Sequence, residues 1–107
     1  MQVLLLGRDV DLEEVREEVL KVISNEQAMR ILDYSMESPR SAYEICSACN
    51  IPLTQVYRWV RKLHKLGFLK ISGATNAAGK KYFMYKSRVK TIKVSLDSVP
   101  GPRLEIL

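Results

Sequence analysis

Thr54, Gln55, Arg58, Arg61, Lys62 and Lys65 are the side chains of this sequence best suited to chemistry with an anionic polymer. Val56, Val60 and Leu63 recur at spacings of four and three, the inward stripe of a helix, and leave those six on the remaining surface. A glutamine can pair bidentately with adenine, an arginine with guanine, and a threonine can meet a phosphate or a thymine methyl. Gln55, Arg58 and Thr54, in the N-terminal part of that surface, are therefore the candidates for reading base edges. Arg61 and Lys65 suit phosphate oxygens, and Lys62 shares their surface. Tyr57 carries two readings, stacking on a sugar-phosphate backbone or packing at the domain edge. Trp59 adjoins the buried stripe and reads as a core or interface residue, and His64 as a surface position.

A second basic group lies farther along. Lys80 and Lys81 flank a polar stretch that also contains Thr75 and Asn76, and the four could reach a minor groove or a neighbouring phosphate. The bland alternative is that the lysines only keep a hairpin soluble. Lys90 and Lys93 fall later, on a segment where they could protect a sheet edge.

The charge distribution favours the first reading of both groups. Residues 45–96 contain no Asp or Glu, yet hold eleven Lys and Arg. Residues 1–37 hold nine acids against four bases, so the net charge of +5 conceals a strongly polarised molecule. A one-signed surface of this kind draws in a polyphosphate, and nucleic acid is the default partner.

Other chemistries find little material. Cys46 and Cys49 are the only cysteines and His64 the only histidine, too few for a four-ligand zinc site without carboxylates or a second chain. The C-x-x-C spacing falls inside an amphipathic helical pattern rather than at a strand-to-helix junction, so small packing residues are expected there, not redox chemistry. With no glycine-rich phosphate loop and no acidic pair in the basic half, an enzyme is not expected, nor is a cofactor or metal.

The elements that must position these residues follow from caps and periodicity. Residues 2–6 read as a strand ended by Gly7. Asp11 and Glu14 form a capping box for a helix over 12–23, with Leu12, Val15, Val19, Val22 and Ile23 inward and Glu13, Glu14, Glu17 and Glu18 in water. Ser24 or Asn25 caps a second helix bearing Ala28, Ile31, Leu32 and Ser35 on one side, which Ser38-Pro39 terminates. Ser41 and Glu44 make another capping box, opening a helix of about eight residues that ends at Asn50. Pro52 leads into the basic helix, over about 53–66, and Gly67 closes it. Then come a strand at 68–71, a glycine-bounded loop at 72–79 and an aromatic-rich strand at 81–86, together a β-hairpin. Residues 88–96 alternate as a further strand with Ile92, Val94 and Leu96 on one side; Pro100-Gly101-Pro102 interrupts, and 103–107 can add a short strand.

A short helix, a tight turn and a longer basic helix followed by a hairpin is the layout of a winged helix-turn-helix. Residues 41–69, SAYEICSACNIPLTQVYRWVRKLHKLGFL, resemble archaeal regulators of this type related to the ArsR family, above all in Ile51, Pro52, Val56, Tyr57, Arg58, Val60, Leu63, Gly67, Phe68 and Leu69. Metal-sensing members carry their paired cysteines earlier in the preceding helix, so the positions of Cys46 and Cys49 depart from that pattern. The resemblance implies an α+β fold of three to four helices with a β-hairpin wing, to which the alternation of 88–96 adds a C-terminal strand. One domain is expected over 1–107, with a core at 24–87 and extensions at 1–23 and 88–107 available for dimerisation. The function it implies is sequence-specific binding of double-stranded DNA by a transcription regulator, the basic helix in the major groove and the wing at 72–81 on the adjacent groove or backbone; the short chain and the apolar faces of its extensions lead us to expect a homodimer. The alternative is a winged-helix module that binds protein or RNA, a reading to which the apolar Leu53 and Trp59 contribute. Absence of a basic leader and of any membrane-length apolar run places the expected site of action in the cytoplasm.

Overall fold

The computed structural model of the chain describes residues 2–5, 8–10, 13–96 and 103–107. It is an α+β fold of four helices, a three-stranded antiparallel sheet and a second, four-stranded sheet built from the two ends of the chain. Among the described residues no helix is long and apolar enough to cross a membrane.

Helix α1 (Glu13–Ile23) buries Val19 and Val22, with Val15 and Ile23 half-buried beside them. The expected Asp11 cap lies outside the described residues. In α2 (Glu26–Tyr34) the Asn25 side chain accepts the Ala28 amide at 3.0 Å, satisfying one of the free donors of the first turn. Ala28, Ile31, Leu32 and Ser35 are all buried, as their spacing requires. Ser35, the one polar member, sends its hydroxyl to the Ile31 carbonyl at 2.7 Å and its own carbonyl accepts the Ser87 amide at 3.0 Å.

Helix α3 (Ala42–Cys49) begins with the full capping box: the Ser41 hydroxyl accepts the Glu44 amide at 3.2 Å, and the Glu44 carboxylate accepts the Ser41 amide at 3.0 Å. It ends at Asn50, whose φ of 52° and ψ of 49° are left-handed, a conformation asparagine tolerates better than most side chains. Ile51 follows fully buried, and Pro52 starts α4 (Leu53–Lys65). Val56, Val60 and Leu63 bury the inner stripe of α4, each contributing roughly 1.5–3 kcal/mol by its removal from water. Gly67, at φ 80°, turns the chain out of the helix and delivers the buried Phe68 to the core.

Strands β3 (Arg40–Ser41), β4 (Leu69–Thr75) and β5 (Lys81–Ser87) form the sheet beside the helices, in the order β3-β5-β4. The expected loop at 72–79 is shorter than the composition indicates. Ser72, Gly73 and Ala74 stay in the ladder opposite Met84, Phe83 and Tyr82, so small residues pair with large ones. The turn is confined to Asn76 and its successors up to Lys80, and the Asn76 Oδ1 closes it by accepting the amides of Ala78 at 3.0 Å and Lys80 at 2.9 Å. Strand β3 was not expected; its two residues pair with Tyr85 and Met84.

The second sheet has the order β2-β1-β7-β6, with β1 (Gln2–Leu5) antiparallel to β2 (Arg8–Val10) and parallel to β7 (Arg103–Ile106). The sequence expectation contained β1 and the short last strand, but not β2 and not their union. The further strand expected over 88–96 is reduced to β6 (Ile92–Ser95). Before it, the Arg88 amide bonds the Phe68 carbonyl at 2.8 Å, Val89 is buried, and the Lys90 and Thr91 amides both reach the Leu107 carbonyl. Arg88 is thus held by a tertiary contact, whereas Thr91 and Leu107, each donating its amide to the other's carbonyl, carry the β6–β7 register one pair further. The side of that strand bearing Ile92, Val94 and Leu96 is not buried: Val94 and Leu96 are exposed and Ile92 half-buried. Leu104 and Ile106 of β7 supply the buried side chains instead, in one cluster with Ile31, Leu63 and Phe68.

Candidate nucleic-acid interface

Thr54, Arg58, Arg61 and Lys65 follow one another at spacings of four, three and four along α4, so they form a single stripe opposite Val56, Val60 and Leu63. All four are exposed. No carboxylate within ion-pair reach neutralises Arg58, Arg61 or Lys65 among the described residues, and α4 itself carries no acid. The first turn of α4 carries no acidic side chain and Pro52 offers no side-chain cap, so the positive end of the helix dipole lies open beside Thr54.

The other residues predicted on α4 fall on its two flanks. On the flank toward α2, Trp59 is half-buried and its indole N–H donates to the Gln27 Oε1 at 3.2 Å. The Lys62 ammonium lies 5.4 Å from the indole ring centre, within cation–π range, and Gln55 is half-buried along the same side. Trp59 and Leu53 both pack against the core, so neither is a free apolar anchor at this surface. On the opposite flank Tyr57, about two-fifths exposed, faces the hairpin.

Tyr57, Thr75, Asn76, Lys80 and Lys81 come together around one groove of about 950 Å³, although they were predicted as parts of two separate elements. The groove runs between the start of α3, Tyr57 and the β4–β5 hairpin. Its aromatic wall went unassigned in the sequence: Tyr43 from α3, with Tyr82 and Phe83 from β5. Tyr43 and Phe83 are 69% and 65% exposed, and with Tyr57 they bring exposed aromatic surface together on one groove. A signal did exist in β5, where Tyr82 and Phe83 put aromatic rings on both faces of a strand, so one of them had to face solvent.

The face of the hairpin explains the groove. Leu69, Ile71, Gly73 and Thr75 stand opposite Ser87, Tyr85, Phe83 and Lys81, so these eight share one side of the ladder. Near the base that side is core: Leu69, Tyr85 and Ser87 are buried. Toward the tip the helices no longer cover it, and the same side emerges as the groove wall. Burial pushes the Tyr85 phenol above its ordinary value, with a smaller push in the same direction from Tyr57. At the other rim the Glu44 carboxylate is engaged by the Ser41 amide and lies 3.9 Å from the Arg40 guanidinium.

Cys49 is buried and its thiol is raised above its ordinary value by burial, with Arg30 opposing and Asp33 adding to the shift. Its sulfur lies 3.8 Å from the Arg30 carbonyl oxygen, as a packing residue that donates weakly. Comparison of the chain with protein-family models, with characterised proteins and with solved structures returns no match.

Proposed function

We propose that this chain is a winged helix-turn-helix transcription regulator that binds double-stranded DNA sequence-specifically, as its resemblance to ArsR-like archaeal regulators implies. The observation that carries the reading is the unneutralised stripe of Thr54, Arg58, Arg61 and Lys65 on α4. In this reading α4 is the recognition helix in the major groove, with Thr54, Gln55 and Arg58 nearest the base edges and Arg61, Lys62 and Lys65 along the phosphates. The hairpin tip is the wing, with Lys80 and Lys81 against the adjacent backbone or minor groove. Asn76 has a more structural part than its amide suggested, because its carbonyl oxygen holds the turn that presents those lysines.

A homodimer would place two recognition helices about 34 Å apart on successive turns of the duplex. Support for a second copy comes from β6, an outer strand of the four-stranded sheet that exposes Val94, with Leu96 exposed just beyond it. The interaction-module alternative loses the two residues that favoured it, since Leu53 and Trp59 pack inward.

The deciding experiment is selection from a random duplex pool, followed by titration of the selected site at several salt concentrations. Enrichment of a defined sequence, with log affinity falling linearly with log salt at a slope of about −0.9 per phosphate contact, is the expected result. Failure to retain any duplex at low salt would refute the proposal.

A further inference from the structure

The aromatic groove beside α4 is built for something other than a paired duplex. Its wall offers the rings of Tyr43, Tyr57 and Phe83, while Tyr82, which also lines it, belongs to the other face of β5, and in a double helix the base faces that would match these rings are already stacked on one another. Among the described residues strand β3 pairs with Met84 and Tyr85 of β5 and nothing pairs with the same edge at 81–83, beside Tyr43. Opposite Phe83 stands Gly73, which has no side chain to fill the space. The groove is therefore open and walled in part by exposed aromatic rings.

Its charges narrow the choice of occupant. Lys80 and Lys81 line the groove, while the carboxylate of Glu44 is already engaged by the Ser41 amide and Arg40. An apolar peptide would gain nothing from two lysines, and a free phosphate nothing from the rings. A planar base joined to a phosphate uses both.

We propose that this groove binds an unpaired base of a nucleic-acid strand, held against the aromatic wall with its phosphate at Lys80 and Lys81. The inference rests on the nucleic-acid reading of α4 and extends it. The stripe of Arg58, Arg61 and Lys65 holds paired DNA, and the neighbouring groove takes a nucleotide that has left the stack, which makes the protein selective for locally opened or single-stranded sites.

The test compares a short, fully paired duplex with the same duplex carrying a central run of unpaired thymines, using the full chain and its Phe83→Ala and Tyr43→Ala variants. Both side chains are largely exposed, so the variants should fold, which circular dichroism checks. The wild-type chain is expected to bind the opened duplex about tenfold or more tightly than the paired one, and each variant to lose most of that preference while binding the paired duplex unchanged. A fluorescent adenine analogue placed among the unpaired bases gives a second readout, quenched on binding to the wild type and less so with Phe83→Ala. Equal binding of the two duplexes by the wild type, or variants that weaken both equally, would overturn the proposal and leave the duplex reading standing. Absence of binding to either duplex would instead sink both.

Discussion

Gly73 stands directly across the β4–β5 ladder from Phe83, so the most exposed ring of the hairpin has no cross-strand side chain beside it. A Cβ added at Gly73 would meet nothing within 4 Å, and the residue is not among those with positive φ. Glycine is thus required there neither by backbone conformation nor by crowding, yet it costs strand stability through its freedom in the unfolded chain. Gly73→Val should raise the stability of the fold by about 0.5–1 kcal/mol and Tm by several degrees, read by calorimetry. The new side chain would also cover Phe83 and narrow the groove, so the preference for an opened duplex should fall while stability rises. A drop in Tm would show that the hairpin needs the gap.

The stripe on α4 separates base reading from phosphate contact by position. Arg58 lies near the helix start, so Arg58→Ala should cost about 1–3 kcal/mol on the selected site and relax the choice of base at one position. Arg61→Ala and Lys65→Ala should weaken all duplexes alike, each flattening the log–log salt slope by about one unit. Affinity measured on the selected site and on a scrambled duplex distinguishes the two patterns. A uniform loss from Arg58→Ala would reassign that side chain to the backbone.

Tyr85 links the core to the groove and gives stability a pH dependence at the alkaline end. Its phenol is raised from 10.0 chiefly because burial penalises the phenolate, and secondarily by Tyr57. The folded chain therefore holds this proton more tightly than the unfolded chain does. Its contribution to stability is full below pH 10.0 and is lost as pH rises through the higher folded value. In urea unfolding followed from neutral pH to above that point, Tyr85→Phe should show a shallower alkaline loss than the wild type. Identical slopes would mean that Tyr85 ionises as freely in the fold as out of it.

Local chemistry made the helical half legible. The Ser41–Glu44 capping box, the left-handed Asn50, Pro52 at the entry to α4 and Gly67 at its exit each involve residues no more than a few positions apart, and each stands where its side chain predicts. What escaped is non-local. Strand β1 pairs with β7, from the opposite end of the sequence, and β3 has only two residues, too few to show a period. The loop reading of 72–79 gave Ser72, Gly73 and Ala74 their turn-forming reputation, which the cross-strand pairing with Met84, Phe83 and Tyr82 overrides. The groove combines α3, α4 and the hairpin, so Tyr43 and Phe83 became neighbours of Tyr57 only once those elements were assembled.

The joining of the two chain ends has its own consequence for cooperativity. Leu104 and Ile106 are fully buried and belong to the same buried cluster as Ile31, Leu63 and Phe68, although the close backbone neighbours of β7 are β1 and β6, so any coupling of the four-stranded sheet to the helices runs through these side chains. Leu104→Ala should therefore lower the stability of the whole fold by about 2–5 kcal/mol, with one transition followed alike by helical ellipticity and by Trp59 fluorescence. Trp59 is a suitable reporter because its indole joins α4 to α2 through Gln27, far along the chain from the substitution. Were the terminal sheet independent, Leu104→Ala would leave the Trp59 transition in place and add an earlier one, and the shared core would then have to be abandoned.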